Sequence, residues 1–188
     1  MKTQQKHMST YDPTSKPLAA PGLISYRCKG PFGWVMIGAT DLADAVREAG
    51  RSTVDVRLEN MEVWDGSKYV SVLEQMGKPK YKVGDVVNWV NDYGAVWAAR
   101  RIVALEDPDQ WGHRYYLEPT DAPWMYTREK NLKLETMSFA EIEAALTVDG
   151  SLRRRCEQDP MYLFEVSKAI EDRQQQVVSP AQSLGLSD

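Results

Sequence analysis

The first 22 residues, "MKTQQKHMSTYDPTSKPLAAPG", present no apolar face and carry proline at 13, 17 and 21. Such a stretch builds neither helix nor core. It reads as an extended or disordered arm over residues 1–22, ordered only where Tyr11 or Leu18 docks elsewhere. From Leu23 apolar and polar positions begin to alternate. "LISYRCKG" has the period of a strand, "GPFG" turns the chain, and "GWVMIGA" is a second strand apolar enough to be buried on both faces. The period then becomes helical. Thr40 offers a cap, Leu42, Ala45, Val46 and Ala49 recur on one face, Asp41 and Asp44 suit the positive helix start, and Gly50 stops it. "MEVWDG" and "SKYVSVL" form a second hairpin through Asp65-Gly66. Residues 23–76 are therefore expected to form a small ββαββ unit.

"MGKPKYK" has the character of a linker, and a new pattern starts at Tyr81. "KVGDVVNWVND" is a strand with either Val86 and Trp89 or Val87 and Val90 inward. "DYG" turns, "AVWAARRIVALED" is a long strand whose middle can bend, and "DPDQWGH" is a loop. "RYYLEP" and "APWMY" are strands, and "TREKNL" is a single helical turn before "KLE". Five short strands over residues 80–136 suggest a small half-open β-barrel. Helical spacing returns over 137–178. Ser138 and Glu141 have the spacing of a capping box for "FAEIEAAL", "TVDGSLRRRCEQDP" interrupts, and "MYLFEVSKAIEDRQQQ" puts Leu163, Val166 and Ile170 on one face. "SPAQSLGLSD", residues 179–188, reads as a disordered tail. The expected class is α+β: a ββαββ unit, a β-barrel and C-terminal helices.

"VGDVVNWVNDYG", "RYYLEPTD" and "REKNLKL" together resemble an SH3-like barrel, in which Gly-Asp opens the first strand and a one-turn helix precedes the last. That resemblance covers residues 80–136. It implies binding of a peptide, a nucleic acid or a protein surface, because such barrels serve all three. "GPFGWVMIGATDLADAVREAGRS" with "MEVWDGSKYV", and "NDYGAVW" with "EPTDAPW", are similar to small uncharacterised proteins of phages, plasmids and integrated elements. No activity travels with that similarity.

Composition sharpens the binding expectation. Six Trp and nine Tyr stand against three Phe, a surplus of rings with polar tips that suit interfaces. The net charge is −4, and no segment has the basic excess of a dedicated duplex binder. The acidity is also too dilute for a DNA mimic. Cys28 and Cys156 are the only cysteines and lie far apart, so two reduced thiols in a cytoplasmic protein are expected. No secretory pattern or membrane span is evident. His7 and His113 cannot join the cysteines at any zinc-motif spacing. No cofactor and no metal are expected.

Candidate chemistry is sparse. Glu118 and Asp121 stand three apart in "LEPTDAPWMY". A hydrolytic pair needs an apolar cleft that raises one pKa, whereas Pro119 and Pro123 here stiffen a connection that presents Trp124 and Tyr126. The loops of the expected barrel supply a binding set instead: Tyr93, Trp111, His113, Trp124 and Tyr126 interleaved with Arg100, Arg101 and Arg114. The competing reading is that about half of these rings fill the core. "SLRRRC" reads as a solvated basic run between helices that can lower the Cys156 pKa, and "CKGPFG" lacks the ending of a phosphate loop. No nucleophile elbow, kinase set, dinucleotide fingerprint, zincin helix or deaminase signature is present. A non-enzymatic protein of a mobile element is expected, one that engages a host protein or nucleoprotein complex and blocks a defence system in the manner of anti-CRISPR or anti-restriction proteins. The alternative is a nucleic-acid-binding accessory module that uses the barrel.

Overall fold

The alternation of "LISYRCKG" and "GWVMIGA" becomes a hairpin of β1 (Ile24–Gly30) and β2 (Gly33–Ala39). The computed structural model describes residues 12–178, so the readings of Tyr11 and of the 179–188 tail lie outside the described residues. The helix follows as α1 (Leu42–Ala49), although its cap is Asp41 rather than Thr40, accepting the Asp44 N–H at 2.8 Å. The second hairpin joins β3 (Met61–Trp64) to β4 (Tyr69–Ser71), in the antiparallel order β2-β1-β3-β4. Tyr26, Cys28, Ile37, Ala39, Met61 and Val63 face Ala45 and Ala49 of the helix and form the first core. "SKYVSVL" is a strand only as far as Ser71. There the hydroxyl caps Leu73 N–H at 3.2 Å, and the chain turns into α2 (Val72–Met76).

Residues 12–22, expected to belong to a loose arm, are held against this sheet by backbone hydrogen bonds. Arg27, Ser25 and Tyr69 reach Thr14, Lys16, Leu18 and Ala19. The Leu18 side chain does not dock; it is exposed.

A division between Lys78 and Pro79 separates this unit from a second. There β5 (Val86–Val90), β6 (Val96–Asp109), β7 (Gly112–Glu118), β8 (Thr127–Arg128) and β9 (Leu132–Leu134) form an antiparallel sheet in the order β8-β7-β6-β5-β9. β8 and β9 do not pair with each other, so the sheet is not closed into a barrel. "DPDQWGH" is no open loop, because Asp109 pairs with Gly112 across a two-residue turn. "APWMY" is no strand; only Thr127 and Arg128 after it join the ladder. A 3-10 turn, Glu129–Asn131, precedes β9 as the sequence suggested.

Both faces of this sheet are covered. Tyr81, Val87, Ile102, Tyr115, Leu117 and Leu132 pack on one face. Val86, Ala98 and Ala99 pack on the other against α3 (Phe139–Ala145), α4 (Gly150–Gln158) and α5 (Tyr162–Val178). Val86 and Val87 are therefore both buried, where strict alternation would bury one.

A bulge lies beside this pair. Val87 opposes Arg100, but Trp89 opposes Trp97, so β6 holds one residue more than β5 between those pairs. Ala99 takes it up with φ 53°, a left-handed conformation unfavourable for any residue but glycine. Its N–H donates to Glu135 Oε2 at 2.9 Å, and its carbonyl accepts the Tyr162 hydroxyl at 3.0 Å. Glu135 is fully buried, and its other oxygen accepts from Asn88 Nδ2 and from the backbone of Thr136 and Met137.

The Ser138–Glu141 capping box opens α3. "SLRRRC" lies not between helices but inside α4, because Asp149 caps it by accepting Leu152 N–H at 3.0 Å. No helix among the described residues is long and apolar enough to cross a membrane.

Candidate functional site

The chemistry of the second unit gathers where the β6–β7 turn meets β8. Along β7, Tyr115 and Leu117 point into the core, so Arg114 and Tyr116 point out. β8 pairs Arg128 with Arg114 and Thr127 with Tyr115, which sets two arginines side by side on the outer face. Like charges so placed repel. Each is neutralised by its own acid. Arg128 forms a two-pronged bond with Asp109 at 2.7 and 2.6 Å, and Arg114 pairs with Glu106 at 3.0 Å.

Aromatic rings fill the spaces between these cations. The Arg128 guanidinium lies 4.7 Å from the centre of the Tyr126 ring and 5.8 Å from that of Trp111, and the Arg114 guanidinium lies 5.4 Å from the Tyr126 ring. Tyr116 meets Tyr126 edge to face at 6.4 Å. The result is a stack of alternating cations and rings, a geometry in which each guanidinium is attracted by the ring quadrupole. Trp111 is 64% exposed and Trp124 is 74% exposed, so the stack opens to solvent at the turn and along the loop. Asp109 also accepts the Trp111 N–H at 2.9 Å, so one carboxylate fixes both the turn and Arg128. Burial raises the Asp109 carboxyl, but the bonds from Arg128 and Trp111 outweigh it and leave the group below the ordinary aspartate range.

Beside the stack lies a cleft of about 270 Å³ lined by Trp89, Trp97, Leu117, Met125 and Tyr126, with Arg100 and Asp121 also contributing. Trp89 and Trp97, paired across β5 and β6, stack at 4.6 Å with planes 29° apart. A cleft of this volume has room for one large side chain.

The eight residues singled out by sequence do not form one face. Trp111, Arg114 and Tyr126 come together in the stack, and Trp124 is exposed in the loop leading to it. His113 is half-buried on β7, between Trp111 and Arg114 in sequence. Tyr93 is 96% exposed at the β5–β6 turn. Arg100 is a correction. It is 2% exposed, because the bulge turns it toward the helices, where it meets Asp149 at 2.5 Å and Ser151 Oγ at 3.0 Å. Arg101 is committed likewise, to Glu165 of α5 at 3.3 Å and to the face of Tyr162.

Glu118 and Asp121 form no pair. The carbonyl of Glu118, which precedes a cis Pro119, accepts the Tyr162 hydroxyl at 3.0 Å, and Asp121 is ion-paired with Arg154. The Cys156 thiol is pushed up by burial and by Asp159, which outweigh Arg155, so the neighbouring arginine run does not lower it. No group of three His, Cys, Asp or Glu able to hold a metal lies among the described residues.

Sequence reasoning missed Arg128, Tyr116 and Asp109. The first two were within reach of the strand period, two positions beyond Tyr126 and Arg114. Asp109 was not, because only the tight turn brings it to Arg128. Comparison of the chain with protein-family models, curated proteins and solved structures finds no match.

Proposed function

We propose that this chain is a non-enzymatic binding protein whose second unit engages a partner protein through the Trp111–Arg128–Tyr126–Arg114 stack and the adjoining cleft. The single observation that carries this reading is that both guanidinium groups of an exposed aromatic stack are already neutralised by carboxylates. Nucleic-acid affinity comes largely from cations that neutralise phosphate. Protein interfaces instead draw their energy from Trp, Tyr and Arg in well-packed surroundings, the residues assembled here. The cleft lined by Trp89, Trp97, Met125 and Tyr126 then takes one apolar anchor from the partner. The rival reading relied on Arg100, Arg101 and Arg114, and each is ion-paired within the protein.

The strand order β8-β7-β6-β5-β9, with the 3-10 turn before β9, supports an SH3-like reading of the sheet despite its open edges. Origin in a mobile element rests on the segment resemblance given above, and action against a host defence complex is the role such an origin would give a partner-binding protein. Affinity capture from bacterial lysate tests the reading, using the wild-type chain beside Trp111→Ala/Trp124→Ala. A stoichiometric protein is expected to survive nuclease and 0.5 M salt, and to be lost with the double variant. Retention that vanishes with nuclease, or that the variant leaves unchanged, refutes it.

A further inference from the structure

The sheet of the first unit buries one face against α1, and its other face carries a second cation–aromatic assembly. The Arg27 guanidinium lies between the rings of Trp34 at 4.1 Å and Tyr69 at 4.4 Å, and its Nε donates to Glu62 at 2.6 Å. The register places all four on that outer face, since Arg27 pairs with Glu62 and Lys29 with Trp34, while Tyr26 and Cys28 point to the core.

This assembly is occupied by the chain's own residues 14–19. Arg27 donates to the Thr14 carbonyl at 2.9 Å. The Tyr69 hydroxyl lies 3.3 Å from the Lys16 carbonyl, and the Ser25 hydroxyl accepts the N–H groups of Leu18 and Ala19 at 3.1 and 3.2 Å. Gly38 permits the close approach, for a Cβ there would stand 3.3 Å from Ala19 and Leu23. After the strap a turn closed by Leu23 N–H on the Ala20 carbonyl, with Gly22 at φ 88°, leads back into β1.

Every one of these bonds is to the strap's backbone. Pro17 and Leu18 point their side chains to solvent. The face therefore holds two carbonyls and two amides of the strap, which makes one 3-10 turn at Pro13–Ser15 and runs extended from Lys16, and it requires a small side chain where Ala19 packs on Gly38. A segment with prolines every few residues fits because it is stiffened in that conformation before it binds.

We propose that the outer face of the first sheet is an acceptor site for an extended, proline-containing peptide segment of a partner protein, held closed in cis by residues 14–19. A covalently attached strap competes at an effective concentration of about millimolar, so the site opens only to a tighter peptide or after the strap is dislodged. The inference concerns the first unit and does not rest on the reading of the second.

The test uses the full chain. Leu18→Pro/Ala19→Pro removes both N–H donors to Ser25 and loosens the strap. The probe is the synthetic peptide DPTSKPLAAPG, the sequence of residues 12–22, titrated while the ring and indole signals of Trp34 and Tyr69 are followed by NMR. The loosened chain is expected to bind at least tenfold more tightly than wild type. A scrambled peptide that keeps the prolines and the alanine that meets Gly38 should bind equally well, and a Gly/Ser peptide of the same length at least fivefold more weakly. Arg27→Ala or Tyr69→Phe in the loosened background should reduce binding at least fivefold; the second deletes only a hydroxyl, which keeps the test valid if the first fails to fold. Failure of the folded, loosened chain to bind the peptide overturns the proposal, as does equal binding by wild type. A concentration-dependent dimer of the loosened chain that excludes the peptide also overturns it, by giving the face to a second copy's strap.

Discussion

Replacing Asp149 by alanine should be among the most damaging single changes in the second unit. Asp149 does two jobs. It caps α4 through Leu152 N–H, a contribution of about 1 kcal/mol. It also neutralises Arg100, the two side chains being 3% and 8% exposed. Removing one member of a buried pair leaves the other charge without compensation and costs about 3–5 kcal/mol. Arg100 keeps the Ala98 carbonyl at 3.1 Å and Ser151 at 3.0 Å, which places the penalty at the lower end of that range. With the cap included, Asp149→Ala should lose about 4 kcal/mol, a large share of the roughly 5–15 kcal/mol that holds a domain. At a urea slope of about 2 kcal/mol per molar, the midpoint moves down by about 2 M. Tryptophan fluorescence reads the transition, since Trp89, Trp97, Trp111 and Trp124 all lie in this unit. Asp149→Asn keeps a capping oxygen and should lose less. Arg100→Met/Asp149→Asn, which removes both charges, should recover most of the loss. A midpoint shift below about 0.5 M for Asp149→Ala, or a double variant no better than the single, would sink the argument that this pair fastens the helices to β6.

The remaining predictions test other features. Ser138→Ala breaks the capping box of α3 and should cost about 1 kcal/mol in the same urea assay, with Ser138→Gly closer to wild type. Asp109 has its folded pKa below the unfolded value. The stability it contributes is therefore present above about pH 4 and lost as pH falls through the folded value; a carboxyl NMR titration should find it below the ordinary range, returning toward it in Arg128→Gln. Burial raises both thiols, so at pH 7.5 a disulfide reagent should modify Cys156 more slowly than a free thiol and reach Cys28 only on unfolding.

Local patterns along the chain were enough to locate β1, β2, α1, the Asp65-Gly66 hairpin and the capping box at Ser138. In each, the determining residues lie within a few positions of one another, so period and cap chemistry carry the information. The surplus of Trp and Tyr also pointed to exposed rings, and Trp111 and Tyr126 both lie against the Arg128 guanidinium, with Arg114 against Tyr126. What only the tertiary structure decided depends on partners far away in sequence. Arg100 looked like a free cation beside Arg101, yet it is buried because Asp149, 49 residues on, meets it across the sheet. Ala99 holds its left-handed turn through Glu135, 36 residues on. The strap could not be foreseen for a different reason. The bonds to Arg27, Ser25 and Tyr69 use its backbone groups, which every residue possesses, so no side-chain pattern records which segment will use them.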